Sequence, residues 1–114
     1  MWAWLFFGAY TLALTTASLM PGADMPAISY NDKVAHFAAY FLFAAVAQAL
    51  PLTSRHLRFL IPGIALYGLM LEGCQGLLIA GRQASLLDAL ANALGVVVGA
   101  VVASRYWQSR KQRL

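Results

Sequence analysis

Charge is scarce in this chain. Only 11% of its 114 residues are charged and no more than four are acidic, where a soluble domain carries about 25%. So small a stock cannot cover a surface that faces water on all sides. With 61% hydrophobic residues and a mean hydropathy of +0.68, the composition is that of an integral membrane protein. Cysteine is scarcer still: Cys74 stands alone inside an apolar run, which excludes a disulfide framework and leaves it a packing role. Paired His or Cys spacing of a metal motif is missing, as is a basic stripe with interleaved aromatics. No metal, other cofactor or nucleic-acid partner is therefore expected. The net charge of +4 belongs to membrane topology and to anionic lipid at the surface.

Apolar runs are what the chain has in abundance. At about 20 residues per span the length holds four helices and no separate soluble domain. The expected fold is all-α, a compact four-transmembrane-helix bundle forming a single domain over 1–114. The first helix is expected over 2–19, ended by Met20-Pro21-Gly22. It lacks the Lys or Arg of a signal-peptide n-region, and Trp2 and Trp4 suit interface anchors, which favours a retained span. The second is expected over 33–50, N-capped by Asp32 and closed by Pro51. The third is expected over 59–80, with Pro62 tolerated in its first turn and Gly81 at its exit. The fourth is expected over 86–107, with Ser85 as cap and Asp88 in a capping-box position. The basic tail from Ser109 is expected to fray.

Loop charges orient these spans. Arg55 and Arg58 lie in the second loop, and Arg105, Arg110, Lys111 and Arg113 near the C-terminus. The positive-inside bias puts both segments, and with four spans the N-terminus too, on the cytoplasmic side. Asp32, His36 and Tyr40 then descend one face of the second helix from outside. Glu72 lies roughly 12 Å below the outer end of the third helix at 1.5 Å per residue, with Gln75 one turn above it and Arg82 beyond. Asp88 and Asn92 open the fourth helix, whose same face continues through Gly95 and Gly99. A second small-residue series, Gly68-Glu72-Gly76, lets backbones approach closely. In the first helix Gly8, Thr11, Thr15 and Ser18 form a comparable stripe that suits closing the fourth side. Polar groups from three helices thus aim at one outer-half volume.

The run Asp32-Lys33-x-x-His36-x-x-x-Tyr40, then Glu72-x-x-Gln75, then Gly81-Arg82, then Asp88-x-x-x-Asn92-x-x-Gly95-x-x-x-Gly99 resembles the VanZ-like family of small membrane proteins. Order, spacing and residue type agree across three helices, over about residues 32–99. Many members carry a further acidic residue shortly after the arginine; here Gln83-Ala84-Ser85 stands instead. The resemblance implies a multi-pass protein of the bacterial cytoplasmic (inner) membrane acting in the cell envelope. The family takes its name from a protein associated with low-level resistance to teicoplanin. That name supplies no reaction and does not carry resistance to this chain.

Each residue has a plain reading beside a functional one. A charged carboxylate at membrane depth costs at least about 2.5 to 3.5 kcal/mol, so Glu72 needs a partner whether it is a site or a clasp on Arg82 or His36. Asp88 suits the helix dipole, Asn92 an interhelical hydrogen bond, and Lys33 snorkelling to the interface. Arg82 either snorkels or offers its planar fork to phosphate or carboxylate. Tyr40 packs, with a hydroxyl in reach of Glu72. His36 is a general base, a packing residue or, together with Glu72 and Asp88, a zinc ligand that no spacing motif supports. Two functions follow. In the first, Asp32, Lys33, His36, Tyr40, Glu72, Gln75, Arg82, Asp88 and Asn92 bind an anionic lipid or lipid-linked envelope precursor. In the second, a membrane enzyme acts on a lipid-linked phosphate or acyl group, with His36 as base, Glu72 or Asp88 as acid and Arg82 stabilising charge. The second lacks a side-chain nucleophile, since Cys74 faces away from Glu72 and Ser85 is a cap.

Overall fold

The computed structural model describes residues 2–19, 30–78 and 86–113, with side chains described at 2–19, 33–74, 76–77 and 86–107. Among these the chain is all helical: α1 (Trp2–Ser18), α2 (Tyr30–Gln48), α3 (Ser54–Leu78) and α4 (Leu86–Arg113). Two stretches, Ser54–Cys74 and Leu86–Trp107, are long and apolar enough to cross a membrane, and Lys33–Gln48 is a shorter apolar helix.

The helix boundaries correct several expectations. The second helix begins at Tyr30, so Asp32 lies within its first turn and is not its N-cap. The third begins at Ser54, taking Arg55 and Arg58 out of the expected loop. Its cap is Thr53, whose hydroxyl accepts the His56 amide at 3.4 Å and whose carbonyl accepts the Leu57 amide at 3.0 Å. Pro62 therefore stands well inside α3, not in its first turn. Lacking an N–H, it leaves the Arg58 carbonyl without its intrahelical donor. The fourth helix runs on through the basic tail to Arg113, because Gln, Lys and Arg are good helix formers and nothing in that tail breaks a helix. Ser85 and Gly81 lie outside the described residues.

Packing runs through α2, which touches all three other helices, while the backbones of α1 and α4 stay apart among the described residues. The tightest pair is α2 with α4. A Cβ built at Gly95 would run into the Phe37 carbonyl oxygen, and one at Gly99 into that of Phe41. The matched order of these contacts makes the two helices parallel. Helix α3 runs antiparallel to both: Gly68 sits under the Tyr40 ring, whose Cε2 would be 2.7 Å from an added Cβ. The core cluster of Tyr40, Phe43, Ala44, Ala47, Ile64 and Val96 lies between α2, α3 and α4. On α1 the packing face is Phe7, Tyr10 and Leu14, with Phe7 and Tyr10 each 5.5 Å from the Phe43 ring. Of the expected α1 stripe, Thr15 meets the Tyr67 hydroxyl, but Gly8 has nothing within 4 Å of an added Cβ. Aromatic volume, not small residues, seats this helix.

The outside of the bundle is apolar. Leu87, Leu90, Leu94, Val97, Val101 and Val102 of α4 are exposed, as are Leu66, Leu69 and Met70 of α3. Only 28% of the α3 stretch and 39% of the α4 stretch is buried, so most of their apolar surface faces outward. Contiguous apolar surface of this extent is foreign to a monomer in water.

Because backbone cannot yield as a flexible side chain can, Gly95→Ala or Gly99→Ala should destabilise the bundle by about 1–3 kcal/mol through overpacking. Gly8→Ala should be close to neutral. Thermal unfolding of detergent-purified protein, followed by circular dichroism, distinguishes the three.

Candidate functional site

The residues that assemble are those one helical turn apart near the N-terminal ends of the parallel pair. On α2, Lys33 and His36 point towards α4; on α4, Asp88 and Asn92 point back. Lys33 Nζ donates to Asp88 Oδ1 at 3.0 Å. His36 Nδ1 lies 2.9 Å from Asn92 Oδ1, and since that amide oxygen can only accept, the ring nitrogen carries the proton of this bond. His36 Nε2 faces the other Asp88 oxygen, Oδ2, at 3.7 Å. Glu72 enters from α3. One ligand atom from each of His36, Glu72 and Asp88 falls within 4.8 Å of the others.

Burial makes this a high-energy arrangement. Glu72 is 4% exposed, Asp88 8% and Asn92 3%, while the Lys33 side chain retains 25% exposure. Carboxylates this deep need cations or donors. Lys33 serves Asp88 through its 3.0 Å ion pair. Tyr40, 2% exposed, packs over Gly68, one turn of α3 before Glu72, and so walls the cluster on the side of the core.

Of the residues expected at the site, Lys33, His36, Tyr40, Glu72, Asp88 and Asn92 come together here. Arg82 and the side chains of Asp32 and Gln75 lie outside the described residues. Two readings change. Lys33 pairs with Asp88 and is not a free interface snorkeler, and Asp88 does more than complement the helix dipole. The pairing was available in principle, as opposite charges at equal depth on two helices descending from one surface. Gln48 was missed altogether. It is 6% exposed and donates Nε2–H to the Ala100 carbonyl at 3.3 Å, a second polar tie between α2 and α4. Its signal was a lone amide closing an apolar run.

Chemically the cluster offers an oriented imidazole, two carboxylates and one ammonium on a scaffold of three helices. It is a polar interior inside an apolar exterior. Comparison of the chain with family models, with curated proteins and with solved structures finds no match.

The Lys33–Asp88 pair should behave as a unit. Lys33→Met alone leaves an uncompensated carboxylate and should cost more stability than Lys33→Met combined with Asp88→Asn. A double-mutant cycle on unfolding free energies should return a coupling of about 0.5–3 kcal/mol.

Proposed function

We propose that this chain is a VanZ-like integral membrane protein of the cell envelope, a four-span bundle of the bacterial inner membrane with both termini cytoplasmic. Its polar cluster opens outward and binds an anionic lipid or lipid-linked head group. The observation that carries this reading is the inverted polarity: Glu72, Asp88 and Asn92 are buried while Leu and Val cover the outside of α3 and α4. Buried ionisable groups in a lipid-facing bundle mark functional sites more often than ornament.

The two ends of the bundle also differ in the way the orientation requires. Trp2 and Trp107 line one cavity of about 630 Å³, and Trp4 stands two residues from Trp2. Arg58 and Ser104 line another of about 410 Å³, with Arg55 and Arg105 adjacent in sequence to that end. Tryptophan and arginine together, remote from the carboxylates, suit a cytoplasmic interface. At the opposite end Lys33, with Arg82 from the sequence, supplies the cations for an anionic group.

A second reading has one observation in its favour. The Asn92 bond fixes the His36 ring with Nε2 turned into the cluster, the orientation a general base needs. Attack would then fall to water, and a lipid phosphate or acyl ester would be the substrate class.

Mass spectrometry of lipids co-purified with wild type, Glu72→Gln and Arg82→Ala tests the binder. Anionic lipid should be enriched on wild type and reduced on both variants; equal recovery from all three sinks the reading. Turnover of a lipid-phosphate panel that disappears with His36→Ala would instead establish the enzyme. Topology is checked separately in a Cys74→Ala background. A membrane-impermeant maleimide should label Asn31→Cys on intact cells and Ser54→Cys only after permeabilisation. Labelling in the reverse order refutes the orientation.

A further inference from the structure

One distance inside the cluster is too long for a direct hydrogen bond. His36 Nε2 and Asp88 Oδ2 face one another at 3.7 Å, beyond the roughly 2.7–3.2 Å of an N–H···O bond. Two ligands on one tetrahedral zinc ion, with bonds of about 2.0–2.1 Å, stand roughly 3.4 Å apart. One ligand atom from each of His36, Glu72 and Asp88 lies within 4.8 Å of the others, a spread that side-chain adjustment can draw in around one ion.

The surroundings are arranged as a metal site's would be. A ligating histidine commonly donates its other ring N–H to a carbonyl group, which fixes the tautomer and turns the lone pair towards the metal. His36 does this through Nδ1 to Asn92 Oδ1 at 2.9 Å. Ligating carboxylates are likewise held by their second oxygen. Asp88 is held by Lys33 at 3.0 Å through Oδ1, which leaves Oδ2 turned to His36. One nitrogen and two oxygen ligands from three different helices also match the three-ligand pattern that keeps a fourth position open for an exogenous group.

We propose that His36 Nε2, Asp88 Oδ2 and a Glu72 carboxylate oxygen bind one divalent cation of the zinc class, and that an anionic head group docks on its open position. The second clause rests on the head-group reading above; the first stands on the geometry. A divalent ion adds positive charge at the point where the anion would arrive. The imidazole favours Zn2+ over Mg2+ and Ca2+, which prefer oxygen alone. Asn92 and Lys33 are positioning residues that act through His36 and Asp88.

The test uses the full chain purified in detergent, stripped with a chelator and titrated with Zn2+ alone, with bound metal counted by mass spectrometry. Wild type should take up one equivalent, and Co2+ in its place should give the visible bands of a four-coordinate ion. His36→Ala, Glu72→Gln and Asp88→Asn should lose that equivalent, while His56→Ala and Cys74→Ser keep it. Asn92→Leu and Lys33→Met should weaken affinity about 10–100-fold, the usual consequence of removing such outer contacts, and they decide the matter if the ligand variants do not fold. Failure of wild type to bind, or binding that survives the His36, Glu72 and Asp88 changes, overturns the metal site. Anionic lipid that stays on wild type after chelation overturns the docking clause alone and leaves the head-group reading standing. Metal uptake with no lipid enrichment refutes the head-group reading alone.

Discussion

The contact between the backbones of α2 and α4 governs this structure. Where Gly95 meets the Phe37 carbonyl and Gly99 that of Phe41, no atom separates the two main chains. Small residues let helix backbones approach this closely. The contact fixes more than distance. Helices pressed together at two points one turn apart have a set register and crossing, and that register brings Asn92 to His36 and Asp88 to Lys33 on the turns that precede. A slip of one residue would turn the amide and the carboxylate away by about 100°. The polar bonds are thus as much a result of the glycine contact as a support for it.

Polarity follows from the same contact. The side of α4 pressed against α2 carries Asp88, Asn92, Gly95 and Gly99, while its other faces carry leucine and valine. Gln48 extends the polar seam to the far end, where it reaches Ala100. The parallel pair is therefore tied by hydrogen bonds at both ends and by close main-chain packing between them. The more loosely joined α1 depends on rings, Phe7 and Tyr10 against Phe43.

Much of this was legible in the residues. Four helices in four apolar runs, their order, and the convergence of His36, Glu72, Asp88 and Asn92 all follow from periodicity and spacing. Boundaries were less so. Thr53 is one of several polar residues in a short basic segment, and only the turn it closes reveals it as a cap. Pro62 suggested a helix start nearby because its missing donor is harmless there, yet α3 tolerates it further in. The partnership of Lys33 with Asp88 was legible in depth but not in rotation, since the sequence places both charges near one surface without showing which way either helix turns its side chain. The small-residue stripe of α1 misled for the opposite reason. Thr11 returns its hydroxyl to the Phe7 carbonyl and Thr15 to that of Thr11, so hydroxyls that resemble interhelical glue are spent largely inside their own helix.

That α2 finds its closest neighbour in α4, and not in the helix that follows it, orders the events of biosynthesis. Helices leave the ribosome in chain order, so α2 and α3 carry Lys33, His36 and Glu72 before Asp88 and Asn92 exist. Until α4 enters, the α2–α3 hairpin is an incomplete intermediate with a buried carboxylate and no glycine face to press against. Arrival of α4 supplies the missing groups and the packing in one step. Assembly of this bundle is therefore committed only once α4 is made, and a nascent chain stalled before residue 86 would hold its ionisable groups with nothing to enclose them.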